Sequence, residues 1–376
     1  MQASPDWSRV RAEFPAMHNW TYLNTATFAQ LPRCAVDATL RHFARRDQMA
    51  CSDFLTWFED ADRIRALVAE LIHAEASDIA FVPNAASALA CLLNGLEWRA
   101  GDRIVTLEQE FPNSIYHPAL LASRGVELIE TSWDRFWEAL KPGTRLVILS
   151  EVNYITGFRA PLPELAPELR RRGILLFVDA TQSAGVLRFD AARTQPDVYA
   201  AHGYKWLLWP TGAGFMYVHP ELRQRLLPHI VGWRSHRDWR RVDELHHGAP
   251  VFSSEAEKYE GGMLAFPLLY AMEAALRLVL DLGLDNIERR ALELAGRVRM
   301  LLRELGGQVL WDEDAHYHSA LVAARLPQRP APALAQSLAQ RRILVSARHG
   351  FLRISPHFYN NEQDLERLEY ELRRLL

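Results

Sequence analysis

Apolar and polar positions along the chain follow two rhythms, and the balance between them shifts once. WFEDADRIRALVAELI (57–72) spaces its apolar side chains three and four apart and predicts an amphipathic helix. DIAFV (78–82), RIVTLE (103–108) and VELIE (126–130) are short strand patterns, separated by the helical patterns ASALACLLNGL (86–96) and SIYHPALLASRG (114–125). TRLVILSEV (144–152) and GILLFVDA (173–180) are unbroken apolar runs bounded by turns, as in strands covered on both faces, with PELAPELRRRG between them as a helix. DVYAAH (197–202) and GAGFMYV (212–218) read as two more strands. This succession predicts an α/β fold with an open, mostly parallel central sheet flanked by helices.

After about residue 260 the texture changes. Two long helical patterns run from Leu268 to about residue 305. SALVAARL, a helix near 332–341, RILVSA, FLRIS and a last helix from Glu362 follow. Short strands and helices in that order predict a smaller α+β domain. The expected organisation is a large α/β domain over 31–260 and a small domain built from 1–30 and 261–376.

Composition narrows the function classes. The 376 residues are 49% hydrophobic, enough for two domains with real cores. A net charge of −3 gives no electrostatic case for nucleic acid or an anionic membrane. No apolar run reaches the roughly 18 residues of a spanning helix. The start, MQASPDWSRVRAEF, does not read as a signal peptide. Cys34, Cys51 and Cys91 are odd in number and far apart, so they make neither a disulfide framework nor a zinc pattern. A reducing, cytoplasmic setting is the expectation. The histidines at 246, 247, 316 and 318 have no metal-ligand spacing and read as solvated.

In open α/β sheets, ligands bind beyond the carboxyl ends of the strands. The residues there are Asn84–Ser87, Phe111–Asn113, Asn153 and Tyr154, Asp179 with Thr181 and Gln182, and His202 with Tyr204 and Lys205. Lys205 is conspicuous. Of 43 Lys plus Arg only three are lysine, and Lys141 and Lys258 lie in polar stretches that read as solvated. Lys205 lies in AHGYKWLLWPTGAGFMYV, among aromatic and aliphatic residues. A buried ammonium is costly, and lysine, unlike arginine, becomes a neutral amine and a nucleophile. Asp179 ends the apolar strand ILLFVDATQSAG. Alone it reads as a turn or cap residue. With Lys205 it makes the pair that pyridoxal 5'-phosphate demands: a lysine for the Schiff base and a carboxylate for the pyridinium nitrogen.

With FVDATQSAG, HGYKWLLWPTGAGFMYV and LRISPHFYN, the chain from YLNTATFAQLP to LRISPHFYNNEQDLERL resembles the class V aminotransferase and cysteine desulfurase group of fold-type I pyridoxal-phosphate enzymes, with kynureninase-like and isopenicillin-N-epimerase-like features. The resemblance implies that Lys205 binds the cofactor covalently and Asp179 partners its ring nitrogen. It puts Gln182 near the phenolic oxygen and Asn84, Ala85, Ala86 and Ser87 around the phosphate. A helix opening with small side chains and free amides suits an anion. Phe111 stands where desulfurases carry a ring-stacking histidine, and an aromatic face serves equally well. His202, Tyr204 and Asn153 join the cofactor side. Arg353 in FLRIS would grip the substrate carboxylate, its planar fork suiting bidentate binding. Asn24, Tyr154 and Trp233 complete the substrate wall. Gly262 lies in EGGMLAFP, a segment that in relatives reaches the partner subunit's phosphate. Relatives have Gly-Thr there, whereas here it is Gly262-Met263. A homodimer with active sites at the interface is implied, and no metal.

The reaction is less constrained than the machinery. Desulfurases need a nucleophilic cysteine shortly before the carboxylate arginine, and RRILVSARHGFLRIS has none. Phe111, VNYITG, the Tyr204-Lys205 pair and GWRSH are kynureninase-like, whereas Gln182 and the missing Gly-Thr argue against kynureninase itself. The expectation is an aminotransferase acting at the α-carbon of a small amino acid. A C–S lyase, by β-elimination from a cysteine-type substrate, and an epimerase stand as alternatives. A non-enzymatic binding module would be favoured if Lys205 or Asp179 were missing, and neither is. No GxGxxG follows the first strand, which disfavours a dinucleotide-dependent oxidoreductase.

Overall fold

Seven strands form the central sheet of the computed structural model, which describes residues 5–241, 243–244 and 248–376. His246 and His247 lie outside the described residues. The strands are β1 (Ile79–Val82), β2 (Arg103–Leu107), β3 (Glu127–Thr131), β4 (Thr144–Ser150), β5 (Leu175–Asp179), β6 (Val198–His202) and β7 (Gly214–Val218). Their order across the sheet is β1-β7-β6-β5-β4-β2-β3. All pairings are parallel except those of β7, which runs antiparallel to both β6 and β1. Two reversals restore direction, so β1 ends on the same side as the parallel strands. The unbroken apolar runs are central: residues 146–150 and 176–179 are buried throughout.

The segment after the sheet carries a four-stranded antiparallel sheet from Gln308–Val309, Val322–Arg325, Ser346–Arg348 and Phe351–Ile354. Leu23 shares an apolar cluster with Leu294, Val298, Leu334, Leu352 and Leu368. Thr21–Tyr22 pair in parallel with Ile343–Leu344, and Asn24 bridges Ser355. Arg11 donates to Asp364 and to the Tyr359 carbonyl, both at 2.7 Å. Arg11 and residues 21–24 are thus bound to the C-terminal segment by an ion pair, backbone pairing and apolar burial.

Two elements differ from expectation. Helix Phe266–Leu282 packs mainly on helices Arg33–Met49 and Thr56–Ile72, and less extensively on helix Leu284–Glu304 that follows it. Helix Arg33–Met49 itself has no strong sequence signature, because only Ala35 and His42 are buried. Val36, Leu40 and Phe43 form an exposed apolar stripe on it at helical spacing. Lys258, read as solvated, is buried, and its ammonium donates to the Arg223 carbonyl at 2.6 Å. Its stretch is polar because it carries Glu260, buried between Arg65 and Arg234. Among the described residues no helix is long and apolar enough to cross a membrane.

Candidate active site

A cavity opens at the carboxyl ends of the strands, lined by residues from all five strand ends singled out above. Asn84 and Ala85 follow β1, Phe111 and Asn113 follow β2, and Ser150 and Tyr154 come from the end of β4. Asp179, Thr181 and Gln182 follow β5, and His202, Tyr204 and Lys205 close β6. Strand-end geometry, not sequence proximity, assembles this wall.

Lys205 is 7% exposed and lies on a tight loop between β6 and β7. The Gly203 amide donates to Ala213, and Trp209 donates back to Gly203. Trp206, Leu207, Leu208 and Trp209 are buried behind the lysine, and Leu208 adopts φ 61°, uncommon for a side-chain-bearing residue. A Cβ on Gly203 would stand 2.1 Å from the Trp209 ring, so only glycine allows this closure. The Lys205 ammonium nitrogen is 5.3 Å from the Tyr204 ring centroid and 5.9 Å from that of Phe111. Burial lowers its pKa to about 7, opposed by Asp179 and assisted by Arg353 and Arg348. Near neutrality this amine both holds and yields a proton.

Asp179 is 7% exposed, and burial raises its pKa while hydrogen bonds from Thr181 and the charge of Lys205 pull it back. In the sheet Ser150 is its register partner on one side and Ala200 on the other. The Ser150 hydroxyl donates to Glu110 at 2.6 Å, and its amide donates to the same carboxylate at 2.7 Å. Ser150 therefore presents oxygen lone pairs to the cavity. Burial, together with the nearby Asp179 charge, pushes Glu110 up to about 7 against the two Ser150 hydrogen bonds. Thr181 ties the lysine strand to the aspartate, its amide on Asp179 and its hydroxyl accepting from the His202 amide.

Gln182 donates one amide N–H to the Ala26 carbonyl at 2.9 Å and accepts from the Trp206 indole at 2.9 Å. Its second N–H remains for the cavity. The Nε2 atom of His202 accepts from the Gly212 amide, which leaves the proton of the neutral ring on Nδ1. Burial lowers this histidine to about 4, so it is neutral at physiological pH. Tyr204 packs edge-on against Phe28 at 4.9 Å, and Phe111 edge-on against Tyr154 at 5.1 Å.

Asn84 caps helix Ala85–Gly95, its carboxamide oxygen accepting from Ser87 at 2.9 Å. The amides of Ala85 and Ala86 have no acceptor among the described residues. Ser87 turns its hydroxyl back to Asn84. An anion cradle with two free amides at a helix start, a buried amine and a buried carboxylate fit the phosphate, carbonyl and ring nitrogen of pyridoxal 5'-phosphate.

Arg353 lies outside the cavity lining, 1% exposed. It donates to the Tyr154 carbonyl at 2.6 Å, to Ser346 at 2.9 Å and to Thr27 at 2.5 Å. No carboxylate lies within ion-pair distance among the described residues, and burial lowers it to about 10. Asn24 bridges Ser355, two residues beyond Arg353, and its carboxamide oxygen is buried without a partner among the described residues.

Besides Arg353 and Asn24, five expected residues are off the cavity lining: Ala86 and Ser87 on helix Ala85–Gly95, and Asn153, Trp233 and Gly262. Asn153 is turned to its own loop, accepting from the amides of Ile155 and Thr156 and donating to the Gln109 carbonyl. It closes the turn and is not on the cavity wall. Trp233 packs edge-on against Phe58 and Trp239, and Gly262 lies near exposed Met263; neither lines the cavity. Glu110, Ser150 and Thr27 carry no mark in the sequence, whereas Asn113 and Thr181, expected at the strand ends, line the cavity. None of the three cysteines lines the cavity, and no group of three or more metal-ligating side chains occurs among the described residues.

Residues 21–368 match the protein family described as Aminotransferase class-V. The chain is 29% identical over 397 residues to an isopenicillin N epimerase of Streptomyces clavuligerus, covering 97% of each. It is 26% identical over 367 residues to an uncharacterised aminotransferase of Bacillus subtilis, covering 93% of this chain and 95% of that one. An apo cysteine desulfurase from Thermococcus onnurineus NA1 superposes with a TM-score of 0.89 at 22% identity, over 100% of this chain and 99% of that one. The cystine C–S lyase C-DES, in complex with its product cysteine persulfide, superposes with a TM-score of 0.86 at 25% identity, over 96% and 98%.

Proposed function

The chain belongs to the class V aminotransferase family, a fold-type I enzyme with pyridoxal 5'-phosphate as cofactor, and on that premise we propose that it is an aminotransferase acting at the α-carbon of a small amino acid. The cofactor, when bound, withdraws electrons from the bonds at that carbon. The protein's part is to choose the bond and move the proton. Lys205 attaches the cofactor and then shuttles a proton, which its pKa of about 7 suits in both directions. Asp179 would hold the ring nitrogen, and the amides of Ala85 and Ala86 would hold the phosphate with His202, Ser87 joining them if its hydroxyl turns from Asn84. Gln182 offers its free N–H to the phenolic oxygen, and Phe111 covers the ring face. Arg353, pre-set by Tyr154, Ser346 and Thr27, receives the substrate carboxylate, with Asn24 and Tyr154 beside it.

The observation that carries this reading is a buried lysine titrating near neutrality opposite a buried carboxylate, in a cavity no cysteine reaches. The missing cysteine speaks against persulfide formation on the enzyme. The likeness to a cystine C–S lyase keeps β-elimination as a second reading, since that reaction begins with the same removal of the α-proton and then expels the sulfur substituent from the β-carbon. The exposed stripe Val36, Leu40 and Phe43, with Leu227, Ile230 and Met263, supports a homodimer whose sites lie at the interface, to which Trp233 and Gly262 then belong. Three free cysteines suit a reducing cytoplasm.

Wild-type protein should take up pyridoxal phosphate in a reducible covalent bond to Lys205, absent in Lys205→Ala; failure of the wild type to do so refutes the cofactor reading for this chain. With single amino acids, transfer of the amino group to a keto-acid acceptor supports transamination. Ammonia and pyruvate released without an acceptor would replace it by β-elimination, and racemised substrate by epimerisation.

A further inference from the structure

The hairpin that carries Arg353 carries a second arginine on the same face. Ser346–Arg348 pairs antiparallel with Phe351–Ile354, Ser346 facing Arg353 and Arg348 facing Phe351. Side chains two apart share a face, so Arg348 and Arg353 are diagonal neighbours on one surface. Two guanidinium groups so placed repel each other, a cost that an anion between them removes. Among the described residues neither has a carboxylate within ion-pair distance, and Arg348 donates to the adjacent Ala347 carbonyl at 2.9 Å. The third arginine of this face, Arg325, is stacked over Phe351 at 5.2 Å. The turn after Arg348 leans on the cavity wall: His349 Nε2 lies 3.4 Å from the Tyr154 hydroxyl, and Tyr154 lines the cavity. The charge of Arg348 is felt at Lys205, Arg353 and Tyr154.

We propose that Arg348 binds a second anionic group of the substrate, so that the enzyme takes dicarboxylic amino acids in preference to neutral ones. The proposal rests on the reading of Arg353 as the grip for the α-carboxylate. Arg353 is buried and rigidly held, whereas Arg348 is half-buried at the hairpin end and has freedom to follow side chains of different length. The spacing thus orders the substrate, with its reacting end inward and its distal anion toward the mouth.

Unreactive acids test this on the holoenzyme without turnover. Binding of succinate against butyrate, and of glutarate against valerate, is measured by calorimetry. Each dicarboxylate should bind roughly ten- to a hundredfold tighter than its partner, as expected of a charged hydrogen bond. Arg348→Gln should erase that preference and leave butyrate and valerate unchanged. Arg325→Gln should keep it, and loss of the preference there would assign it to diffuse surface charge and overturn the proposal. Equal affinity within the pairs in the wild type, or a preference that survives Arg348→Gln, also overturns it. If Arg353→Gln leaves butyrate and valerate binding intact, the grip reading fails instead. No saturable binding of any of the four acids rejects both.

Discussion

Replacing Glu110 by glutamine should change how stability depends on pH, and the size of the change follows from the site. Glu110 is buried beneath Ser150 and Phe111, and burial pushes its carboxyl from the ordinary 4.5 up to about 7. Between those values the folded chain keeps a proton that the unfolded chain has lost. Stability therefore falls as pH rises through this window, by about 1.4 kcal/mol per pH unit and roughly 3 kcal/mol in all. Below the window both states are protonated, and above it both are ionised, so the contribution is flat on either side. Glutamine does not titrate. It still accepts from the Ser150 amide through its oxygen, and its NH2 group donates to the Ser150 hydroxyl oxygen in place of the lost acceptor. The expected outcome in cofactor-free protein is that Glu110→Gln gains on the wild type by about 3 kcal/mol between pH 4.5 and pH 8. Urea midpoints of the two proteins, measured side by side at several pH values, give the difference. Titrating groups not coupled to Glu110 cancel because both proteins share them, and the coupling to Asp179 is a minor contribution beside burial. A wild-type minus variant difference that stays level over this range would mean that Glu110 titrates as an exposed carboxylate, and the reasoning would be wrong.

Three further outcomes are expected. The rate at which cofactor-free protein takes up pyridoxal phosphate should rise about tenfold per pH unit up to about 7 and then level, following the neutral fraction of Lys205; a rate still climbing at about pH 9 would contradict its lowered pKa. Gly203→Ala should lower the thermal midpoint and cofactor uptake, since its methyl would meet the Trp209 ring at 2.1 Å; overpacking of this kind costs about 1–3 kcal/mol, and a wild-type midpoint would show that the loop relaxes freely. Glu260→Gln should cost about 3–5 kcal/mol in urea unfolding, because it strands the buried guanidinium groups of Arg65 and Arg234; a loss under about 1 kcal/mol would show that Glu257 substitutes for it.

What could be read from the chain depended on whether a residue's role is local. TRLVILSEV and GILLFVDA announce central strands because burial on both faces leaves an unbroken apolar run, and β4 and β5 occupy those runs. Asp179 and Lys205 stand out because a charge inside an apolar run needs a reason. Ser150 and Glu110 carry no such mark. Ser150 matters because register sets it beside Asp179, and Glu110 because it reaches across from the end of β2 to Ser150. Asn153 was misplaced for the opposite reason: it follows a strand end, but its carboxamide closes the next turn before it can reach the cavity. The polar neighbours of Lys258 read as solvated but are polar because they form a buried ion network. Arg348 gave no signal as one of many arginines, until the hairpin register set it diagonal to Arg353.

The pairing of Thr21–Tyr22 with Ile343–Leu344, and of Thr27 with Arg353, has a consequence for the order in which the protein is made. A chain leaving the ribosome has its phosphate cradle, Asp179 and Lys205 available once β7 has emerged. The N-terminal strand segment must still wait for its partner, which is synthesised more than 300 residues later. On the proposed reading, the residues assigned to the cofactor are therefore synthesised before those assigned to the substrate carboxylate. If those roles hold, cofactor capture can precede substrate competence, which waits for the strand that carries Arg353.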